Sequence, residues 1–203
     1  MEIPDQEIKE KLIRAQLKCD LMEEFDGSID DRVERYLSVF QWKFTPYTHF
    51  AQISAECRLL YRDGYFFACI ALCQSVAEAL SRFLCKKVSV GAEGKHINRV
   101  KKLVKNNIIS NESEASFARI REHRDDYHHL NPETPTGREK LKEIAFRALK
   151  GLSYIENEVF AFSIKDGVLI PKYADLWGPE TIEAIQMSNR RSTDIKNNKS
   201  ERR

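Results

Sequence analysis

Leu141, Ala145, Ala148, Leu152, Ile155, Val159 and Phe162 follow one another at alternating spacings of four and three residues without a miss. That rhythm places all of them on one face of an α-helix of about 3.6 residues per turn; a strand, whose side chains alternate every second residue, has no use for it. A face this regular needs a neighbour, and the small Ala145 and Ala148 let one come close. Residues 65–87 provide it. There Phe66, Ile70, Cys73, Ala77, Leu80 and Leu84 form one stripe and Cys69, Leu72, Val76 and Phe83 an adjoining one, so this helix is expected to be buried on most sides. The chain therefore reads as all-α, an up-and-down helical bundle.

The remaining segments extend the same pattern. A first helix is expected over residues 5–25, with Ile8, Leu12, Ala15, Cys19 and Met22 on one stripe, and Asp26-Gly27-Ser28 is expected to break it before a short second helix that reaches about Phe40. Phe40, Trp42, Phe44, Tyr47 and Phe50, set around Pro46, mark either a packed crossover or a partner surface, and packing is the preferred reading. Residues 50–61 form a third helix with Ile53, Cys57 and Leu60 inward, closed by Asp63-Gly64. A loop over residues 88–94 leads into a basic helix with Ile97, Val100, Leu103 and Val104 inward and Lys95, Arg99, Lys101, Lys102 and Lys105 outward. Ser110-Asn111-Glu112-Ser113 offers caps for the helix that follows. Beyond the long helix, residues 165–171 suggest an extended excursion and then a small helix to about Met187, while residues 188–203, with six basic and two acidic residues, read as a disordered basic tail. The expected organisation is N-terminal helices (1–50) packed on a bundle (51–164), a C-terminal extension (165–187) and the tail (188–203).

Charge and motif content narrow the function. The 203 residues carry 33 basic and 31 acidic side chains, a net charge of +2, so any nucleic-acid site has to be local rather than a property of the bulk field. No run reads as apolar enough to span a bilayer and the first residues lack a signal-peptide layout, so a cytoplasmic location without membrane attachment is expected. Five cysteines at 19, 57, 69, 73 and 85, with no C-x-x-C pair, fit reduced thiols better than disulfides or zinc. The Gly-rich phosphate loops and the G-x-S-x-G elbow are absent, which removes P-loop enzymes, dinucleotide binders and serine hydrolases of that type. Asp125, Asp126, His128 and His129 are metal-capable types, but neighbours on a helix point in different directions and no further ligand group is evident, so neither metal nor cofactor is expected.

The chemistry is concentrated in residues 119–129, where three of the five histidines alternate with three arginines and three carboxylates. Phe117, Ile120 and Tyr127 mark the buried line of a helix, and Arg124 lands on that line where a leucine would be expected. A guanidinium keeps its proton, so burying it costs several kcal/mol unless acceptors or an anion meet it. Glu78, the sole carboxylate of residues 65–87, is one candidate: it meets Arg124 or Arg121 and presets it for a phosphate, or it pairs with Arg82 four residues on along a wet face. For the whole cluster, a solvated helix end with histidines favoured by the helix dipole is the alternative.

Arg124-Asp125-x-x-x-His129 resembles the Arg-polar-x-x-x-His signature of the HEPN family of small all-helical proteins, with the likeness extending over roughly residues 54–162. The resemblance implies a dimer whose paired motifs line one cleft, and in many members a metal-independent endoribonuclease, often the toxin or effector of a toxin–antitoxin or antiviral defence system with a neutralising protein partner. It implies that Arg124 holds the scissile phosphate, that His129 transfers protons with His128 in reserve, and that Asp125 orients one of them or a dimer mate. Arg121 and Glu78 would support, Tyr127 would wall the site or stack a base, and Lys101, Lys102 and Lys105 would meet the RNA backbone. A non-catalytic helical dimerisation module that binds a protein or nucleotide is the rival from another class.

Overall fold

A computed structural model describes residues 6–41, 46, 48, 50–122, 124–129, 131–134, 136–165 and 168–178, with backbone only at 125, 128 and 168. The elements are α1 (Gln6–Val39), α2 (Ala51–Arg62), α3 (Phe66–Lys87), α4 (His96–Lys105), α5 (Asn111–Arg121), α6 (Arg124–His129), α7 (Arg138–Val159), β1 (Phe162–Lys165), β2 (Val168–Pro171) and α8 (Ala174–Trp177). The protein is all-α apart from the small antiparallel hairpin β1–β2, in which Ile164 faces Leu169. The expected basic tail and most of the final small helix fall outside the described residues, as do Trp42, Phe44 and Tyr47 of the aromatic cluster.

The core is organised on α3, which touches α2, α4, α5, α6, α7 and α8. Its apolar stripe from Phe66 to Leu84 is buried throughout, and Cys69, Val76 and Cys85 close the adjoining faces. The thiols of Cys57, Cys69, Cys73 and Cys85 pack as small hydrophobes: hydrogen bonding with Cys57 and Cys69, and then burial, push Cys73 well above the usual thiol range, and all five cysteines, including the exposed Cys19, are free. Contrary to the reading of the sequence, α3 is long and apolar enough by composition to cross a membrane, a property it shares with the core helices of globular proteins.

Two glycines set how the helices meet. Gly64 ends the α2–α3 turn at φ +82°, a left-handed conformation that strains any residue with a Cβ, and the Arg138 guanidinium lies over the space its missing side chain leaves. Gly151 on α7 admits the side chain of Ile120 from α5, whose Cγ1 is 3.3 Å from where a Cβ would stand. Phe50 does anchor its connection, with rings of Phe83 at 5.5 Å and Phe160 at 6.5 Å. Phe40, by contrast, is exposed.

The expected break at Asp26-Gly27-Ser28 does not occur: α1 runs 34 residues without interruption. Gly27 is not left-handed, and the Ser28 hydroxyl donates back to the Glu24 carbonyl at 2.8 Å, which keeps that side chain within the helix rather than capping its end. A single glycine in a helix costs only about 1 kcal/mol. The motif region departs in the opposite sense, since one expected helix is two. The Glu122 N–H reaches the Arg119 carbonyl at 3.4 Å in a tightened last turn, and α6 begins afresh at Arg124.

Candidate functional site

α3, α4, α5 and α6 converge on a tight cleft lined by Gln74, Ala77, Glu78, His96, Phe117, Ile120, Arg121 and Arg124. Its free interior of ≈ 10 Å³ holds about one water, so a larger anion meets its mouth rather than its floor. Arg121 closes α5 and Arg124 opens α6, so the turn at Glu122 delivers two partly buried guanidiniums to the same place.

Glu78 is the electrostatic centre of this cleft. Burial raises its pKa, but Arg82, Arg124, Arg99 and His96 outweigh burial and carry it below the ordinary glutamate value. The pairing with Arg82 is present, Glu78 accepting from it at 2.5 Å along α3, and Arg124 is near enough for its charge to act on the carboxylate.

The basic helix is arranged differently from the expectation. Arg99 points inward with 3% of its side chain exposed, donating to Glu78 at 3.3 Å, to Ser81 at 3.3 Å and to the Gly94 carbonyl, whereas Ile97 faces solvent. Spacing alone assigned Ile97 to the core, but the line that enters it is His96, Arg99, Val100 and Leu103. A guanidinium that finds three acceptors tolerates burial, and that lets it displace an isoleucine.

His96 is the residue that the reading of the sequence passed over. Its imidazole is buried edge-on to Phe117 at 5.4 Å, and burial, Arg121 and Arg99 lower its pKa to about 4, so it is neutral at pH 7. Its ring bonds to the Ala77 backbone, while among the described residues Nε2 has no hydrogen-bond partner, like the Oε1 of Gln74, whose amide nitrogen donates to the Ile120 carbonyl at 3.1 Å. The signal that existed in the sequence was its place at a helix start directly after Gly94-Lys95, in i,i+3 register with Arg99.

The other expected residues are distributed as follows. His129 is exposed, five residues along α6 from the partly buried Arg124, which puts it roughly 140° around the helix, so the two do not meet within the protomer. The side chains of Asp125 and His128 lie outside the described residues. Tyr127 is 2% exposed and packs edge-on to Phe67 at 5.5 Å, and its pKa is raised by burial and by Asp126; this ring is part of the core and offers no stacking surface to a base. Asp126 ties down the end of α6, accepting from Asn131 at 3.1 Å.

Lys101, Lys102 and Lys105 are exposed on α4 away from the cleft, and Lys102 donates to the Gly91 carbonyl at 3.1 Å. A larger basic groove of ≈ 490 Å³ lies instead between α5 and α7, where Arg119, Arg147 and Lys150 flank Tyr154. Among the described residues no group of histidine, cysteine or carboxylate side chains is placed to hold a metal ion.

Comparison with family models, with curated proteins and with solved structures found no match for this chain.

Proposed function

We propose that this chain is a metal-independent endoribonuclease of HEPN type, working as a homodimer. The observation that carries the proposal is the convergence of Arg121 and Arg124 on one cleft with Glu78 beneath them. Two guanidiniums brought to one cleft, one of them within the field of the part-buried Glu78, make a ready cationic seat for a phosphodiester and for the charge that develops on it. In the proposed reaction the ribose 2′-oxygen attacks phosphorus, its proton passes to a base, and the 5′-oxygen of the next nucleotide leaves with a proton. The products are a 2′,3′-cyclic phosphate and a 5′-hydroxyl. His129 is the proposed proton carrier because it is accessible on the helix that presents Arg124, and its separation from Arg124 in one protomer makes a facing second copy part of the proposal.

A specific observation favours a second reading. The imidazole that shares the cleft with the arginines is His96, whose low pKa suits an acceptor better than a proton shuttle at neutral pH. A non-catalytic module that binds an anionic partner at this cleft is consistent with that.

The test is incubation of the purified chain with mixed RNA in the presence of chelator, with analysis of the product ends. Cyclic phosphate ends are expected, lost on Arg124→Ala and on His129→Ala in variants with wild-type melting curves. No cleavage at high enzyme concentration sinks the nuclease reading, cleavage abolished by chelator replaces it with a metal nuclease, and loss on His128→Ala alone moves the proton carrier by one residue.

A further inference from the structure

Among the described residues α1 joins the body through its last turns, where Arg35 donates to the Arg62 carbonyl at 2.7 Å and Arg32 lies 3.6 Å from Asp63. From Gln6 to Gly27 every residue except Lys9 is exposed. The exposed set includes Leu12 at 63%, Ile13 at 66%, Leu17 at 54% and Met22 at 57%. Burying a side chain of this kind gains about 1.5–3 kcal/mol, so an arm this apolar is a surface built to be covered.

Its spacing specifies the cover. Ile8, Ala15, Met22 and Ile29 recur every seven residues, and Leu12, Cys19, Asp26 and Val33 form a second such series offset from the first by four. Two interleaved seven-residue series make a seam for another helix. Charge then chooses the partner and its direction. Residues 8–18 carry Lys9, Lys11, Arg14 and Lys18 against Glu10 alone, whereas residues 20–34 carry seven acids against Arg32 alone. A parallel copy would set acid on acid. An antiparallel copy lays the basic half of each arm over the acidic half of the other, and in that register Ile8 meets Val33 of the second copy, Leu12 meets Ile29, Cys19 meets Met22 and Lys9 comes beside Asp30.

A second feature lies where the arm's tip would arrive. The root of α1 borders a groove of ≈ 450 Å³ whose acids are Asp31, Glu34, Glu139 and Glu143. The antiparallel register brings Lys9 and Lys11 of the other copy to this groove. The acidic half of the arm also argues against a lipid surface, which recruits helices through basic polar faces.

We propose that α1 is an assembly arm that pairs antiparallel with α1 of a second copy, independently of any chemistry at the cleft. The full-length protein is measured by size exclusion with light scattering at micromolar concentration. The expected mass is an even multiple of the chain mass, halved by Leu12→Glu with Ile29→Glu while circular dichroism and the thermal transition of the body are kept. Direction is read by oxidation in a Cys19→Ser background: Ile8→Cys protein mixed with Val33→Cys protein gives a disulfide-linked pair, and Ile8→Cys protein alone does not. A monomeric wild type, a mass unchanged by the double substitution, cross-linking of Ile8→Cys protein to itself, or monomers that sediment with anionic vesicles would each overturn the proposal. Arg124→Ala is expected to assemble as wild type, so a failed nuclease assay leaves this result standing.

Discussion

Arg99 of α4 and Glu78 of α3 form a part-buried bridge, Nη2 to Oε1 at 3.3 Å, that joins the basic helix to the wall of the cleft. The same guanidinium bonds the Ser81 hydroxyl and the Gly94 carbonyl, so one side chain fixes the loop, the helix and the carboxylate together.

Removing Arg99 leaves the Ser81 hydroxyl and the Gly94 carbonyl without its donors, while Glu78 keeps Arg82, at a cost of about 1–3 kcal/mol. Arg99→Ala is therefore expected to lower stability by about that amount in urea unfolding. Arg82→Ala, which removes the other arginine on Glu78 but from an exposed i,i+4 position, is expected to cost under about 0.5 kcal/mol. Equal costs would mean that Arg99 is not the structural partner described.

His96 couples stability to pH. Its pKa is lowered from 6.5 to about 4, so between those values the unfolded chain binds a proton that the folded chain refuses. Stability contributed by the neutral ring is complete above the unfolded value and declines as pH falls from about 6.5 towards about 4. Between pH 7.5 and 5.5, above the range where carboxylates titrate, the loss is expected to be about 1 kcal/mol. Urea unfolding across that range checks it, and His96→Phe should flatten the slope. A slope unchanged in that variant would assign the effect elsewhere.

The two helical glycines Gly27 and Gly151 predict opposite responses. A Cβ at Gly27 meets nothing within 4 Å, so Gly27→Ala should stabilise α1 by about 0.5–1 kcal/mol, read as a rise in helical signal and melting temperature. Gly151→Leu forces α5 away from α7 at Ile120 and at the Ser116 carbonyl, 3.4 Å from the Cβ position, and should cost about 1–3 kcal/mol or more. A stabilised Gly151→Leu protein would contradict the close approach of these helices.

Much of the architecture was legible where one physical term dominated. The apolar rhythm of α7 as far as Val159, the twin stripes of α3, the Ser110 cap accepting from Ser113 at 3.1 Å and the Asp63-Gly64 stop are all local patterns, and all are present, whereas Phe162, read as the last beat of that rhythm, lies past the helix end in β1. The departures have two causes. A single glycine costs too little to end a helix, so α1 runs on through Gly27. The other cause is a partner distant in sequence. Arg99 read as a surface charge because the carboxylate it meets lies 21 residues away. That Arg124 and Glu78 share one cleft was legible because a charge at an apolar position demands an answer. His96 was not, since a lone histidine at a helix start carries no such demand until its surroundings are known.

The turn at Glu122 has a mechanical consequence. α6 has only six residues, too few to hold themselves helical by their own backbone hydrogen bonds. Its buried anchor is the ring of Tyr127 lodged against Phe67. The motif helix therefore owes its shape to what it packs against, and losing the Tyr127 ring should loosen the Arg124 side of the cleft before the longer helices give way.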